Sequence, residues 1–410
     1  MAESHFHRAL TRRLQEAAAH FPAVVLTGPR QAGKTTLLRE TFPDHRYVSL
    51  DLPSIAEQAE REPADFLADH PPPVLIDEVQ YAPKLFRHLE VRIDKARHTM
   101  GQFILTGSQK FTLMREVSDS LAGRAAILEL EPLSWDELQP KVRSVAHDAT
   151  ATLTRGLFPE LWRQPSLPTR DFYASYLATY LERDVRQILN VTSLRDFERF
   201  MRILAARSGQ LLNKSDVAKD VGVSPKAIGD WLSVLQASHQ VLLLEPYFQN
   251  IGKRAVKSPK VYFGDTGLLC HLLNLDEHAL LGSSYLGAVW ETAIFAELRK
   301  SIAAGDVRCD LYYYRDQRAR EIDFVLDASG TLSFVEAKWT EHPDETDAKM
   351  ILAIDAELRA SKLRVVPGKH AIVCRAANRF PVAPGVTALP FAQLDRLFGA
   401  QRAAATTEKQ

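Results

Sequence analysis

The chain has 410 residues, and its 51 Lys plus Arg balance 51 Asp plus Glu, so the formal net charge is zero. A hydrophobic fraction of 46% and a charged fraction of 25% fit an ordinary folded chain of about two to four domains and exclude collagen-like, low-complexity and largely disordered chains. The zero balance argues against a uniformly basic nucleic-acid coat but leaves room for a local basic patch.

In chain order, Ala23–Thr27 (AVVLT) is a short apolar run closed by glycine, the pattern of a buried parallel strand. Lys34–Thr41 continues as a helix, and Tyr47–Leu50 and Pro73–Ile76 read as strands. Leu85–Arg97 carries Leu85, Leu89 and Ile93 at helical spacing, and Gln102–Thr106 and Ala126–Leu130 read as a fourth and a fifth strand. Strands alternating with helices imply a parallel sheet with right-handed crossovers over residues 1–134. Residues 135–206 read as an amphipathic helical linker or lid, with Phe172, Tyr173, Tyr176 and Tyr180 expected in its core. Over 207–270, helices Asn213–Val221 and Ser224–Ser238, strand Val241–Leu244, a basic loop and strand Val261–Phe263 make a winged-helix pattern. Residues 271–398 read as a long helix, strands, a helix and more strands, and the small polar stretch 399–410 as a disordered tail. The fold class expected is therefore α/β.

Gly28-Pro29-Arg30-Gln31-Ala32-Gly33-Lys34-Thr35, continued by Thr36, fits G-x-x-x-x-G-K-[ST] between a strand and a helix. Glycines let backbone N–H groups curl round phosphates, and the helix N-terminus adds a positive dipole. Lys34 is placed to reach the β- and γ-phosphates and Thr35 to ligate Mg²⁺, so ATP and Mg²⁺ are the expected cofactors. Val74-Leu75-Ile76-Asp77-Glu78 delivers two carboxylates to the C-terminal edge of the sheet, Asp77 for the Mg²⁺ shell and Glu78 as general base. Ser108, with Thr106 second, is a candidate sensor of the γ-phosphate, and Arg30 is a further candidate phosphate contact. Arg124 could face the γ-phosphate of a neighbouring subunit, act as a sensor in its own subunit, or be an ordinary surface arginine.

Together Gly28–Thr36 (GPRQAGKTT), Val74–Gln80 (VLIDEVQ), Ile104–Ser108 (ILTGS) and Ser120–Arg124 (SLAGR) resemble the bacterial and archaeal AAA+ ATPases that carry a C-terminal DUF4143 domain. Gly156–Leu161 (GLFPEL), Tyr176–Val185 (YLATYLERDV), Tyr262–Leu269 (YFGDTGLL) and Trp290-Glu291 extend the resemblance over nearly all of the chain. It departs at Leu157-Phe158, where the family more usually has a glycine and an aromatic, which touches only the linker. The resemblance implies an ATPase core, a winged helix, a C-terminal fold similar to restriction endonucleases, and a homo-oligomer if Arg124 acts in trans.

Glu321-Ile322-Asp323, followed by Glu336-Ala337-Lys338, resembles the PD-(D/E)xK nuclease pattern. Asp323 and Glu336 would bind Mg²⁺, Lys338 would activate water, and Glu291 on the helix Ala288–Lys300 would complete the cluster. The competing reading is a hairpin with one cross-strand Glu–Lys pair.

In the winged-helix pattern Ser224–Leu235 would be the recognition helix, with Lys226 outward at its start, and Lys253, Arg254, Lys257 and Lys260 would form a basic wing on DNA, duplex or branched. His5, His7 and His20 read as surface residues, and Cys270, Cys309 and Cys374 as free thiols suited to a reducing cytoplasm. No apolar run approaches the ~18 residues of a spanning helix, so no membrane partner is expected. The function expected is a Mg²⁺-dependent ATPase acting on DNA as a motor or switch. The alternatives are an ATP-gated nuclease and an ATP-gated protein scaffold.

Overall fold

The computed structural model describes residues 6–108, 113, 117, 119–138, 149–181, 185, 194–247, 257–305, 308–360 and 366–398. Lys253, Arg254 and the expected tail 399–410 lie outside the described residues. The chain divides into two compact units: Met1–Leu133 with Phe158–Arg163 and Val234–Gln240, and Ser134–Leu157 with Gln164–Ser233 and Val241–Gln410.

The first unit is built on five parallel strands, β1 (Ala23–Thr27), β2 (Arg46–Ser49), β3 (Val74–Asp77), β4 (Phe103–Thr106) and β5 (Ala125–Glu129), in the order β2-β3-β4-β1-β5. Every residue of β1, β3 and β4 is buried, because helices cover both faces of the sheet and no face is left for polar residues. Alternation survives only as a division between two cores. Ala23 and Val25 join Ile76, Phe103, Leu105, Phe86 and Leu89 on one face, and Val24 and Leu26 join Leu37, Leu38, Leu75 and Ile104 on the other. Because the strands are parallel, the loops that follow β1, β3 and β4 emerge at one edge. Strand β3 runs one residue beyond the expected Ile76, so Asp77 is fixed as its last residue.

In the second unit, Phe172, Tyr173, Tyr176 and Tyr180 of helix Thr169–Tyr180 are buried as expected. Asp265 ties that helix to its surroundings, accepting from Tyr173 Oη at 2.6 Å, Leu157 N at 2.7 Å and Leu268 N at 2.9 Å. Helix Lys214–Val221 starts at Asn213, whose side chain accepts from Ser215 N and Asp216 N, and stops at Gly222 with φ +88°. Helix Pro225–Ala237 follows, and then β6 (Val241–Leu244) pairs antiparallel with β7 (Lys260–Phe263). The chain beyond β6 docks on the C-terminal sheet: Tyr247 N donates to Tyr313 O and Tyr313 N to Glu245 O.

That sheet contains β8 (Asp310–Arg315), β9 (Glu321–Ala328), β10 (Thr331–Ala337), β11 (Val366–Pro367), β12 (His370–Cys374), β13 (Phe380–Ala383) and β14 (Val386–Pro390). Its order is β13-β14-β12-β10-β9-β8, with β11 beside β10. Strands β8, β9 and β10 are antiparallel, whereas β10, β12 and β14 run parallel. Helix Glu345–Ala360 buries Ala348, Ile351, Ile354 and Leu358 against Ile322, Val325, Phe334 and Ile372. Among the described residues no helix is long and apolar enough to cross a membrane.

Asn213 supplies the acceptor for two N-terminal amides of its helix. Asn213→Ala is expected to cost about 1 kcal/mol, read as a lower chemical denaturation midpoint with an unchanged slope.

Candidate functional site

The edge of the parallel sheet collects the phosphate-loop residues. Gly28 has φ +144°, and a Cβ there would lie 2.0 Å from Leu130 O, so only glycine lets the loop turn off β1. Gln31 and Gly33 also have positive φ, 60° and 91°, which curls the loop before helix Lys34–Thr41 begins. Lys34 is buried, and its ammonium donates to Gly28 O and Pro29 O, each at 2.9 Å. Thr35 Oγ1 donates to Asp77 Oδ2 at 2.8 Å. Arg30, Gln31 and Thr36 lie at the loop surface.

Burial holds the Asp77 carboxyl above its usual range, opposed by the hydrogen bond from Thr35. Glu78 adopts a left-handed backbone, φ 54°. The donors Ser108 N at 3.2 Å, Ser108 Oγ at 3.1 Å and the Gln80 amide all converge on its Oε2. Among the described residues Oε1 has no donor. Gly107 makes room for this arrangement, since a Cβ there would lie 2.2 Å from Gln80 Oε1. Thr106 Oγ1 is buried and has no partner among the described residues. The donor set fits a Mg²⁺–nucleotide: a hydroxyl and a carboxylate held together are hard oxygen ligands, and a buried ammonium over loop carbonyls is a cation for phosphate.

Two residues here carried no sequence motif. Tyr47, from β2, donates its phenol to Asp77 Oδ2 at 3.0 Å, and Arg39 stacks 5.0 Å from its ring centroid. Arg8 is 6% exposed and its guanidinium bridges the loop to the far side of the site. Nη1 donates to Ala32 O at 2.7 Å and Nη2 to Glu131 O at 2.6 Å. Only a general rule, that an arginine buried among carbonyls must be hydrogen-bonded, could have singled out Arg8, and burial is not visible in the sequence.

Arg124 precedes β5, at the opposite edge of the sheet from Gly28 and Asp77. Its guanidinium makes a two-pronged pair with Asp94, 2.8 Å and 2.8 Å, and reaches Glu90 at 3.3 Å. The length of a strand separates it from its own phosphate loop, which removes the reading of Arg124 as a sensor in its own subunit.

The C-terminal residues form a second cluster. Glu336 follows the β9–β10 register on from Val335↔Phe324 and so stands beside Asp323. Lys338 Nζ lies 3.4 Å from Glu336 Oε2. Asp323 Oδ2 accepts Ala337 N at 2.9 Å. Glu291 projects from helix Leu286–Ala304 and accepts from Lys260 Nζ at 2.9 Å and Tyr262 Oη at 2.5 Å. Lys260 is 2% exposed and lies 2.5 Å from Glu321 and 3.8 Å from Asp323. It is the first residue of β7 and points into carboxylates, which corrects its placing among the exposed cations of a wing. Lys226 and Lys257 are exposed. Among the described residues no group of three or more His, Cys, Asp or Glu side chains is arranged to hold a metal ion.

Burial, then repulsion from Asp323, pushes the Glu291 carboxyl up to about 7, against Lys260, while burial first and Asp323 next hold Glu336 well above its usual range.

Comparisons with known proteins match three stretches of the chain. Residues 20–139 match the model of the AAA domain, 147–279 the domain of unknown function DUF8612, and 286–394 the domain of unknown function DUF4143. The chain is 32% identical over 392 residues to the uncharacterized protein Rv2008c of Mycobacterium tuberculosis, covering 94% of this chain and 84% of that one. The uncharacterized protein Mb2031c of Mycobacterium bovis matches with the same identity and coverage. Among solved structures, the Walker-type ATPase PABY2304 of Pyrococcus abyssi is 14% identical with a TM-score of 0.46, covering 66% of this chain and 97% of that one. The Thermotoga maritima RuvB Holliday junction branch migration motor is 18% identical with a TM-score of 0.32, covering 58% and 89%.

Two predictions follow from these contacts. Arg8→Ala releases Ala32 O and Glu131 O and is expected to weaken ADP binding about ten- to a hundredfold, since bonds from a charged donor contribute about 1.5–3 kcal/mol. Calorimetric titration reads the loss, and Arg8→Lys should recover part of it. For Glu291, the folded pKa of about 7 exceeds the ordinary 4.5. Its contribution to stability is complete below pH 4.5 and is lost as pH rises through about 7. Glu291→Gln should therefore flatten the fall of Tm across that window, measured by calorimetry in matched buffers.

Proposed function

Because the chain belongs to the family of AAA ATPases with a C-terminal DUF4143 domain, we propose that it hydrolyses ATP with Mg²⁺ and uses the cycle to drive or switch an action on DNA. The observation that supports hydrolysis most directly is the meeting of Thr35, Asp77, Glu78 and Ser108 at one sheet edge. Thr35 Oγ1 and Asp77 Oδ2 would hold the Mg²⁺ shell, and when bound the ion supplies charge that offsets the β- and γ-phosphates. Lys34 would exchange its loop carbonyls for phosphate oxygens. Glu78 keeps Oε2 tied to Ser108 and Gln80, so Oε1 is the oxygen that takes the proton of the attacking water as the water oxygen bonds to the γ-phosphorus and ADP leaves. Ser108, already bonded to the base, would report γ-phosphate loss to it. Arg30 and Thr36 would contact phosphate from the loop and the helix start.

Arg124 lies at the far edge of its own sheet, which suits a role at the γ-phosphate of the next subunit in a homo-oligomer. In such an assembly the pair with Asp94 must exchange for phosphate oxygens.

The DNA part of the reading is supported by a helix capped at Asn213, a left-handed turn at Gly222, a second helix with Lys226 exposed at its start, and a strand pair with exposed Lys257 shortly before its second strand. A nuclease is not part of the reading, because Lys260 stands among the carboxylates that a metal ion would need.

ATP turnover measured with single-stranded, duplex and branched DNA tests both parts. Glu78→Gln is expected to lower turnover about 10²- to 10⁴-fold while retaining nucleotide binding. DNA is expected to raise wild-type turnover, with an effect that fades steeply as salt increases. Hydrolysis that survives Glu78→Gln removes the base assignment, and turnover indifferent to DNA and salt removes the DNA partner.

A further inference from the structure

Lys260 is the most deeply buried cation of the C-terminal half among the described residues, at 2% exposure. Its ammonium lies 2.5 Å from Glu321 Oε1, 2.9 Å from Glu291 Oε1 and 3.8 Å from Asp323 Oδ1. These carboxylates come from a helix and from β9, whereas Lys260 comes from β7. An ammonium taken out of water is tolerated only where opposite charges and acceptors replace its hydration, and here they surround it. Lys260 is also fixed from behind. Its backbone pairs with Leu244 and bridges to Leu211, and its Nζ lies 5.7 Å from the Tyr313 ring centroid. Two residues along the same strand, Tyr262 reaches the same Glu291 oxygen. The ammonium is thus carried by a backbone held on both sides in β7.

We propose that the Lys260 ammonium is the resident cation of this cluster. It takes the place that a divalent ion would hold between Glu291 and Asp323, and it clamps the β6–β7 ribbon to the C-terminal sheet as a charged joint. The arrangement of Asp323, Glu336 and Lys338 then remains without a metal-dependent cleavage centre while Lys260 is in place. Charge supports this assignment. Glu291, Glu321, Asp323 and Glu336 face Lys260 and Lys338, so two ammonium groups already offset much of what a metal ion would neutralise. The inference stands apart from the nucleotide reading, and ATP turnover can succeed or fail without touching it.

Mn²⁺ binding to the full-length, nucleotide-free chain, followed by electron paramagnetic resonance, tests the inference. Asp77→Asn is placed in the background to silence the phosphate-loop site. The background protein is expected to show no Mn²⁺ site that depends on Asp323. Adding Lys260→Ala should create one, at least tenfold tighter than any site in the background, and Mn²⁺ should then raise Tm. Asp323→Asn should abolish the gain. If the alanine variant does not fold, Lys260→Gln carries the same comparison. A folded Lys260 variant with no gain in Mn²⁺ affinity overturns the inference. So does a background protein that already holds Mn²⁺ through Asp323, or Mg²⁺-dependent cutting of plasmid DNA that Asp323→Asn removes.

Discussion

The hydrogen bond from Thr35 Oγ1 to Asp77 Oδ2 spans the ends of two strands that are not neighbours. Strand β4 lies between β1 and β3 in the sheet. The loop after β1 and the end of β3 therefore meet across the end of β4. At that end Gly107 has no side chain where Gln80 lies. Ser108 then rises into the gap and bonds Glu78. The glycine and the contact between Glu78 and Ser108 thus occur together at the end of the strand that the Thr35–Asp77 bond spans.

The same edge holds a strained residue. Glu78 is a non-glycine residue in the left-handed region, a conformation that costs of order 1–3 kcal/mol and persists only where its surroundings impose it. Here they do. Its amide donates to Asp77 Oδ1, and Ser108 and Gln80 hold its carboxylate. The backbone twist turns the Glu78 side chain away from the continuation of β3 and over β4. In the role proposed for Glu78, a base that is to reach the water beside a phosphate, and not the Mg²⁺ ligand next to it in sequence, would need such a turn.

What could be read from the sequence was what is encoded locally. Strand β1 and the helix after the loop fall at the residues expected, because an unbroken apolar run and a glycine–lysine–threonine boundary are settled by near neighbours. Asn213, Gly222 and Pro225 likewise punctuate two helices through their own backbone preferences. Lys260 was illegible for the opposite reason. In the sequence it closes a basic run, and its burial depends on Glu291, Glu321 and Asp323, which only the tertiary fold brings near. Arg8 and Tyr47 escaped notice similarly: each acts on the phosphate-loop site from an element that carries no motif.

The two carboxylate clusters solve the same electrostatic problem in contrasting ways. Asp77 is buried beside hydroxyl donors, from Thr35 and Tyr47, which soften its charge but can turn toward an arriving ion. Glu291 and Asp323, both half-buried, stand beside a buried ammonium carried by a strand. A site that must bind and release a cation at each turnover needs weak, exchangeable partners. A joint between elements needs a partner whose loss is costly, and removing one member of a buried ion pair costs about 3–5 kcal/mol. On the proposed reading the phosphate-loop cluster suits exchange and the C-terminal cluster cohesion, the first built around a carboxylate that ends a strand and the second joining carboxylates of a helix and a strand.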